Sequence, residues 1–555
     1  MATRKKSAQK SSSKGKRAGG AKATLAPASS RVTKSRGGAA KGAAGIKLPK
    51  TSRAVTGAAT ALSTDQLAPT VSDVIQVQYL AKARKFVPRT KIHVRKEIPT
   101  TSEGGQVFDF NPTQPLALDM PMPMAMAMAP PSVGGAPLAS TDSVTMVRNV
   151  QLTSAAVNNT ASNVGEPSVA SNGEVVFYTG NWYAAVSFNR GQTFRFVDPA
   201  RSFPDPPGMS FCCDQVVQYI QSIDTFVWLL QYTTNANGEN LQRLAFAKTA
   251  DVRLGRWRTF DITSQSVGLP GTFLDYPDLA VGTNMLYVTM NGFRNNQWNA
   301  TVLVRLPLSG INSGNITAQR TISTTNFNFR VAQHCGTRAF WASHQNTSTL
   351  RVFSWGETEA QPSFRDVPVA RWAVGPYTSQ TPDNRNWLAR ADPRLTGATK
   401  RNDELWFAWG SGSGGVNNRP NPFIQIARIN STNFSLIENI NIWDATSGTC
   451  YAALSTNGKN EVGVSYMIGG GGVNGRFPTH VIGILTGTRR EVTTFAGTRG
   501  PADQKWGDYL AVRRNYPNTS LFCATGYILK GNAGAANATP IYTLFGRSGD
   551  ITGTD

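Results

Sequence analysis

The sequence predicts an all-β chain: a six- or seven-bladed β-propeller, seven favoured, preceded by a disordered basic N-terminal arm. Three observations carry this. From about residue 146 to 549 the chain is built of short apolar strands, Gly/Asn/Pro turns and frequent aromatics, with little helical periodicity. Within that stretch a loose unit recurs seven times. Positive charge is confined to one end. The 555 residues carry a net charge of +23, yet residues 1–100 hold 22 Lys and Arg against 3 Asp and Glu, leaving 34 against 30 for the rest.

Residues 1–69 form the arm. Lys, Arg, Ala, Ser and Gly dominate its first 60 positions, and so few large apolar side chains cannot offset the entropy of ordering the chain. Its basic clusters, Arg4, Lys5, Lys6, Lys14, Lys16, Arg17, Arg31, Lys34 and Arg36, are candidate polyanion-binding residues. The partner expected for residues 1–100 is an anionic polymer, nucleic acid or acidic polysaccharide; a solubilising or targeting tail is the plainer reading. No aromatic precedes Tyr79, so base stacking and sequence readout are not indicated.

Residues 70–112 read as a segment docking on the body, with strand-like alternation in Lys91-Ile-His-Val-Arg-Lys96. Residues 113–145 are a Pro/Met/Ala-rich linker. Its alternating methionines suggest copper ligation through thioethers, but with no His or Cys beside them a flexible apolar linker is the better reading.

Residues 146–555 form the propeller. Each unit opens with a short apolar strand, often led by Pro or Asp, passes a Gly/Asn turn and enters a strongly aromatic or β-branched strand. Examples are Asp214-Gln-Val-Val217 then Phe226-Val-Trp-Leu-Leu230, and Asp392-Pro-Arg-Leu395 then Glu404-Leu-Trp-Phe-Ala-Trp409. The markers Val169, Val216, Leu279, Val331, Leu395, Leu454 and Leu510 are spaced by 47, 63, 52, 64, 59 and 56 residues. Four strands with their loops need about 40–50 residues, so seven units suit seven blades. A repeat-free sandwich or several β domains is the alternative.

One stretch marks the first unit. The strand ending at Val186 runs into Ser187-Phe-Asn189-Arg-Gly191-Gln-Thr193-Phe194, a hairpin turn in which Asn189 bonds nearby backbone, Gly191 takes positive φ and the Phe194 ring plugs the sheet. This octapeptide resembles the Asp-box (Ser-x-Asp-x-Gly-x-Thr-Trp) of BNR/sialidase-like β-propellers, with Asn189 for Asp and Phe194 for Trp. Phe211-Cys-Cys-Asp-Gln-Val-Val, Leu274-Asp-Tyr-Pro-Asp-Leu-Ala and Trp506-Gly-Asp-Tyr-Leu-Ala-Val are similar to blade-opening strands of such proteins. The resemblance spans residues 146–549 and implies a sialidase-like propeller, in which Ser187, Asn189, Gly191, Thr193 and Phe194 are structural.

It does not carry catalysis over. The family's first substrate-clamping arginine lies in an Arg-Ile-Pro string, which occurs nowhere here. The inner strand of each blade lines the channel, so Asp214, Asp278 and Asp508 (with Asp392) could converge at one mouth as general acid/base groups or a hard-cation site, with Tyr509 beside them. The competing reading is that each Asp caps its strand or holds a neighbouring blade. Arg330, Arg394 and Arg513 near inner-strand positions are candidate ligand-binding residues. Trp182, Trp257, Trp298, Trp355, Trp372 and Trp387 could stack on sugar rings, core packing being the default.

Five cysteines without CxxC spacing and four histidines argue against a metal site, and no cofactor is expected. The sequence shows no apolar signal-peptide core and no apolar run of about 18 residues, so no transmembrane segment is expected and the compartment stays open. The leading function is non-catalytic recognition, the propeller binding a glycan or protein while the arm holds an anionic polymer or surface. An assembly protein whose arm binds nucleic acid, and a sialidase-like glycoside hydrolase with a rearranged site, are the alternatives.

Overall fold

The computed structural model describes residues 53–54, 60–61, 71–86, 143–153, 164–502, 504, 506–531 and 538–555. The basic clusters from Arg4 to Arg36, residues 91–96 and the Pro/Met/Ala stretch lie outside them. Seven antiparallel sheets of four strands follow one another, three with a short fifth strand at the outer edge. This is a seven-bladed β-propeller. We number blades 1 to 7 by their inner strands, Ser168–Ser171, Phe211–Ile220, Phe273–Val281, Arg330–Val331, Leu395–Arg401, Gly448–Thr456 and Val512–Arg514. Six of the seven marker residues lie in these strands, and Leu510 lies two residues ahead of the last.

The strands read as near-continuous apolar runs because each blade is covered on both faces by its neighbours. Alternate residues of a strand point to opposite faces. In the second strand of blade 5, Glu404–Ser411, the residues Leu405, Phe407 and Trp409 pack with Phe340, Leu350 and Val352 of blade 4. Trp406 and Ala408, between them in sequence, pack with Val462, Val464 and Tyr466 of blade 6. A fully buried side chain such as Phe407 contributes roughly 1.5–3 kcal/mol. Nine of the 12 tryptophans are buried in this way, including Trp257, Trp355, Trp372 and Trp387. Those four are core side chains and offer no face to a sugar. Trp182 and Trp298 are half-buried.

The ring closes through a strand from the N-terminal side. Val144–Gln151 is the fourth strand of blade 7, pairing with Ala538–Arg547 from Ile541↔Gln151 to Arg547↔Val144. The hairpin after Tyr183–Ser187 braces the same junction. The Ser187 hydroxyl accepts from Gly191 N at 2.9 Å, and Asn189 Oδ1 accepts from Thr193 N at 3.0 Å. Gly191 has φ +77°, and a Cβ there would lie 2.2 Å from the Tyr542 ring of blade 7, so only glycine lets the blades meet. Phe194 adds an edge contact to Tyr542, with ring centres 5.8 Å apart.

A segment ahead of the closing strand runs along the outer edges of the blades. Arg53–Ala54 pairs with blade 4, Thr60–Ala61 with blade 3 and Ile75–Gln76 with blade 2, and Leu80 bridges Phe196 in blade 1. It therefore visits blades 4, 3, 2 and 1 against chain order. Phe86 stacks on Trp182, with ring centres 5.3 Å apart.

The α-helices among the described residues span four to six residues, and none is long and apolar enough to cross a membrane. Cys335, Cys450 and Cys523 are buried thiols, while Cys212 and Cys213 form a disulfide between adjacent residues. That bridge closes no chain loop, so it is no scaffold.

Candidate functional site

The markers also give the site. Three residues before them stand Glu166, Cys213, Tyr276, Asn328, Asp392, Tyr451 and Gly507, inside the first half of the inner strand or a few residues ahead of it. Four of these take left-handed backbone without being glycine: Glu166 at φ +42°, Tyr276 at +54°, Asn328 at +59° and Tyr451 at +64°. Such conformations are costly for L-residues, and their recurrence at one register marks a built turn at the channel mouth. One residue before the markers stand Ser168, Gln215, Asp278, Arg330, Arg394, Ala453 and Tyr509.

This register brings acids and arginines together out of water. Arg394, 6% exposed, grips Asp392 through Nη2 at 2.7 Å and Nε at 2.9 Å, and reaches Asp508 across the channel at 3.3 Å. Its guanidinium lies 4.3 Å from the centre of the Tyr276 ring. Arg330 Nε stands 3.1 Å from Asp278 Oδ2, tying blade 4 to blade 3, though no aligned hydrogen bond reaches that oxygen. We read this contact as an ion pair rather than a hydrogen bond. The backbone N–H of Asp508 donates to Glu166 Oε1 at 3.2 Å, joining blade 7 to blade 1, and Asn181 donates to Glu166 Oε2 at 2.8 Å. Buried charges in such a site persist only when paired.

The carboxyls do not share one state. Burial first, and then the Asp508 charge, push the Glu166 carboxyl up to about 8. Asp214 is raised well above the usual carboxylate range by burial and by the charges of Glu166, Asp275 and Asp508. Glu166 therefore holds its proton at neutral pH, and Asp214 is displaced in the same direction. The Tyr509 phenol is also pushed upward, by burial and then by Asp214. Among the described residues its hydroxyl makes only a long bond, 3.5 Å, to the Gln215 carbonyl. Among the described residues no group of three or more His, Cys, Asp or Glu is placed to hold a metal ion.

Three polar groups stand around Asp508. The hydroxyls of Tyr276 and Tyr451 are buried, and neither makes a hydrogen bond among the described residues. Both lie within electrostatic reach of Asp508. Arg390 is half-buried at the same mouth, close enough for the Asp508 charge to stabilise its cation, yet it makes no hydrogen bond or ion pair among the described residues. Beneath this mouth Trp506 stacks on Tyr527 at 4.6 Å and meets Trp387 edge-on at 5.5 Å.

The structure thus brings Asp214, Asp278, Asp508, Tyr509, Arg330 and Arg394 to one channel, with Arg513 further along it, its Nη2 4.0 Å from Asp278 Oδ1. Sequence reasoning missed Glu166, Tyr276, Arg390 and Tyr451. Carrying one offset through all seven units would have named three of them. Arg390 stands five residues before its marker Leu395, an offset at which, in the other units, only Lys505 is also basic.

No protein-family model matches the chain, and no curated protein matches its sequence. Similar solved structures include an α-L-arabinanase of Penicillium chrysogenum complexed with arabinobiose, at 11% identity and TM-score 0.36, covering 72% of this chain and 98% of that one. A subtype N10 neuraminidase-like protein of a strain named for the little yellow-shouldered bat gives 10% identity and TM-score 0.31, covering 55% and 91%. The quinohemoprotein alcohol dehydrogenase of Comamonas testosteroni gives 9% and 0.35, covering 74% and 77%. At such distances the functional reading rests on this chain's own residues.

Proposed function

We propose that the chain is a recognition protein whose propeller mouth binds a hydroxyl-rich ligand, a glycan in the first instance, without cleaving it. The observation that carries this is the pair of buried hydroxyls around Asp508, Tyr276 and Tyr451, with no hydrogen bond among the described residues, and the half-buried Arg390 guanidinium beside them. Buried polar groups are ordinarily satisfied, so two phenols without hydrogen bonds among the described residues, beside a guanidinium, fit a ligand that both donates and accepts hydrogen bonds. The charges around them are already compensated within the ring. In the sequence, the basic residues from Arg4 to Arg36 support a second contact, with an anionic polymer. The likeness of residues 187–194 to an Asp-box supports a sialidase-like ancestry for the first blade.

A hydrolase is the second reading, favoured by Glu166, which keeps a proton at neutral pH as a general acid must. Against it, burial and the Asp214 charge push the Tyr509 phenol upward, away from the activated state a nucleophile needs, and Arg330 and Arg394 are already ion-paired.

The test is a glycan array with the full chain, scored for retention and for product release, in about 1 M salt, where charge attraction is screened beyond about 3 Å. Retention without products, lost at least tenfold in Arg390→Met and in the Tyr276→Phe, Tyr451→Phe pair, is the expected result. Product release abolished by Glu166→Gln would make it a hydrolase. Silence across the array, with self-association and nucleic-acid binding at low salt, would make it an assembly protein.

A further inference from the structure

Three of the five cysteines are closed to thiol chemistry. Cys335, Cys450 and Cys523 are at most 2% exposed, and burial pushes each thiol up to about 12, far from the thiolate that reacts. The other two differ. Cys212 and Cys213 are bonded to each other in the inner strand of blade 2, and Cys213, half-buried, stands at the register of the channel mouth.

That register is where inner strands bend. In blades 3 and 6 the pairing slips between Asp275 and Asp278 and between Cys450 and Ala453, and left-handed Tyr276 and Tyr451 make the bend. The blade 2 strand slips at the same place, where its pairing jumps from Leu230 to Tyr232 and passes over Gln231. Yet no residue from Phe211 to Ile220 is left-handed. A covalent bond between neighbours stands where the other two blades use a turn conformation.

Stability does not explain this bond. A cross-link stabilises chiefly by restricting the unfolded chain, more so the longer the loop it closes, and this one spans a single peptide bond. Its effect is local, and it falls on the acids of the mouth. Asp214 follows Cys213 directly. Gln231 donates through Nε2 to Asp275 Oδ1 at 2.8 Å and to the Cys213 sulfur at 3.5 Å, and the Asp275 charge acts on Asp214. A disulfide sulfur only accepts, whereas a thiol also donates. Opening the bond changes what Gln231 meets and frees the bend that aims Asp214.

We propose that Cys212–Cys213 is a thiol-exchange site, opened from the mouth by a dithiol reductant without unfolding, and that opening it remodels the blade 2 strand. One thiolate of the reductant attacks the Cys213 sulfur, the S–S bond breaks, and Cys212 leaves and takes a proton. The second thiolate of the reductant attacks the mixed disulfide, which releases Cys213 to be protonated and closes the reductant's own disulfide. The pair gains two electrons and two protons, and the reductant loses the same. No glycan takes part, so this site and the recognition reading stand or fall separately.

The test is mass spectrometry of the full chain, combining cysteine alkylation in native buffer with hydrogen exchange. Without reductant no cysteine should alkylate. Under dithiothreitol Cys212 and Cys213 should alkylate, while Cys335, Cys450 and Cys523 should need urea as well. Backbone exchange over residues 211–217 should quicken about tenfold on reduction, with the other blades unchanged, and slow again on re-oxidation. Cys213→Ser should exchange at the fast rate with or without dithiothreitol; if it does not fold, oxidised and reduced wild type still give the comparison. Alkylation of the pair before any reductant, alkylation of it only in urea, or exchange unchanged by reduction overturns the proposal.

Discussion

Glu166→Gln should change how stability depends on pH more than it changes stability at any one pH. The Glu166 carboxyl sits at about 8 in the folded protein, against an ordinary value of 4.5 that the unfolded chain recovers. The folded state therefore keeps a proton that the unfolded state releases, and stability falls as pH rises between those values. Each pH unit in that window costs about 1.4 kcal/mol, so burying this carboxyl costs nothing at pH 4 and about 5 kcal/mol above pH 8. Glutamine does not titrate. It can still accept one of the two hydrogen bonds from Asn181 and the Asp508 N–H, and losing the other costs about 1–3 kcal/mol at every pH. Urea unfolding of both proteins from pH 4 to 9 should show the variant weaker at pH 4 and stronger at pH 8, with the curves crossing between. Parallel curves would refute the assignment of a buried, proton-holding carboxyl to Glu166.

Three further outcomes follow from the geometry. Gly191→Ala forces a side chain into left-handed backbone and against Tyr542, and should cost about 1–3 kcal/mol, read as a lower urea midpoint, while Arg190→Ala beside it should cost less. Arg394→Met removes the cation that Asp392 and Asp508 share, leaving buried negative charge behind; a loss of about 3–5 kcal/mol at neutral pH is expected from chemical unfolding. Replacing Arg4, Lys5, Lys6, Lys14, Lys16 and Arg17 by Gln should leave unfolding unchanged and flatten the salt dependence of binding to duplex DNA, by about 0.9 in log–log slope for each phosphate no longer neutralised.

The blades were legible because a propeller strand is covered on both faces. Runs such as residues 226–230 and 405–409 are apolar at consecutive positions since alternate side chains enter different inter-blade cores. Their recurrence is a local signal. The closing strand is not local: Val144–Gln151 reads Val-Thr-Met-Val-Arg-Asn-Val-Gln, and its partner lies near the other end of the chain. The site was legible only in part. Asp214, Asp278 and Asp508 stand out as acids at strand starts, and convergence follows from the fold. Which acid pairs with which arginine depends on reach across the channel, as between Arg394 and Asp508, and no spacing records it. Tyr276 and Tyr451 look like core aromatics; their left-handed backbone and stranded hydroxyls emerge only in three dimensions. Adjacent cysteines give no loop from which a bridge could be read.

The rim segment has a mechanical consequence. Arg53–Ala54, Thr60–Ala61 and Ile75–Gln76 are ladders of two residues each, on three successive blades, and they precede the eight-residue strand Val144–Gln151 that closes the ring. Tension entering from the N-terminal end meets them one at a time. Each can peel and re-form alone, whereas the closing strand, registered from Val144 to Gln151, resists as a unit. A tug on the N-terminal end is thus dissipated in small reversible steps along the circumference before it reaches the one junction whose rupture would open the circle.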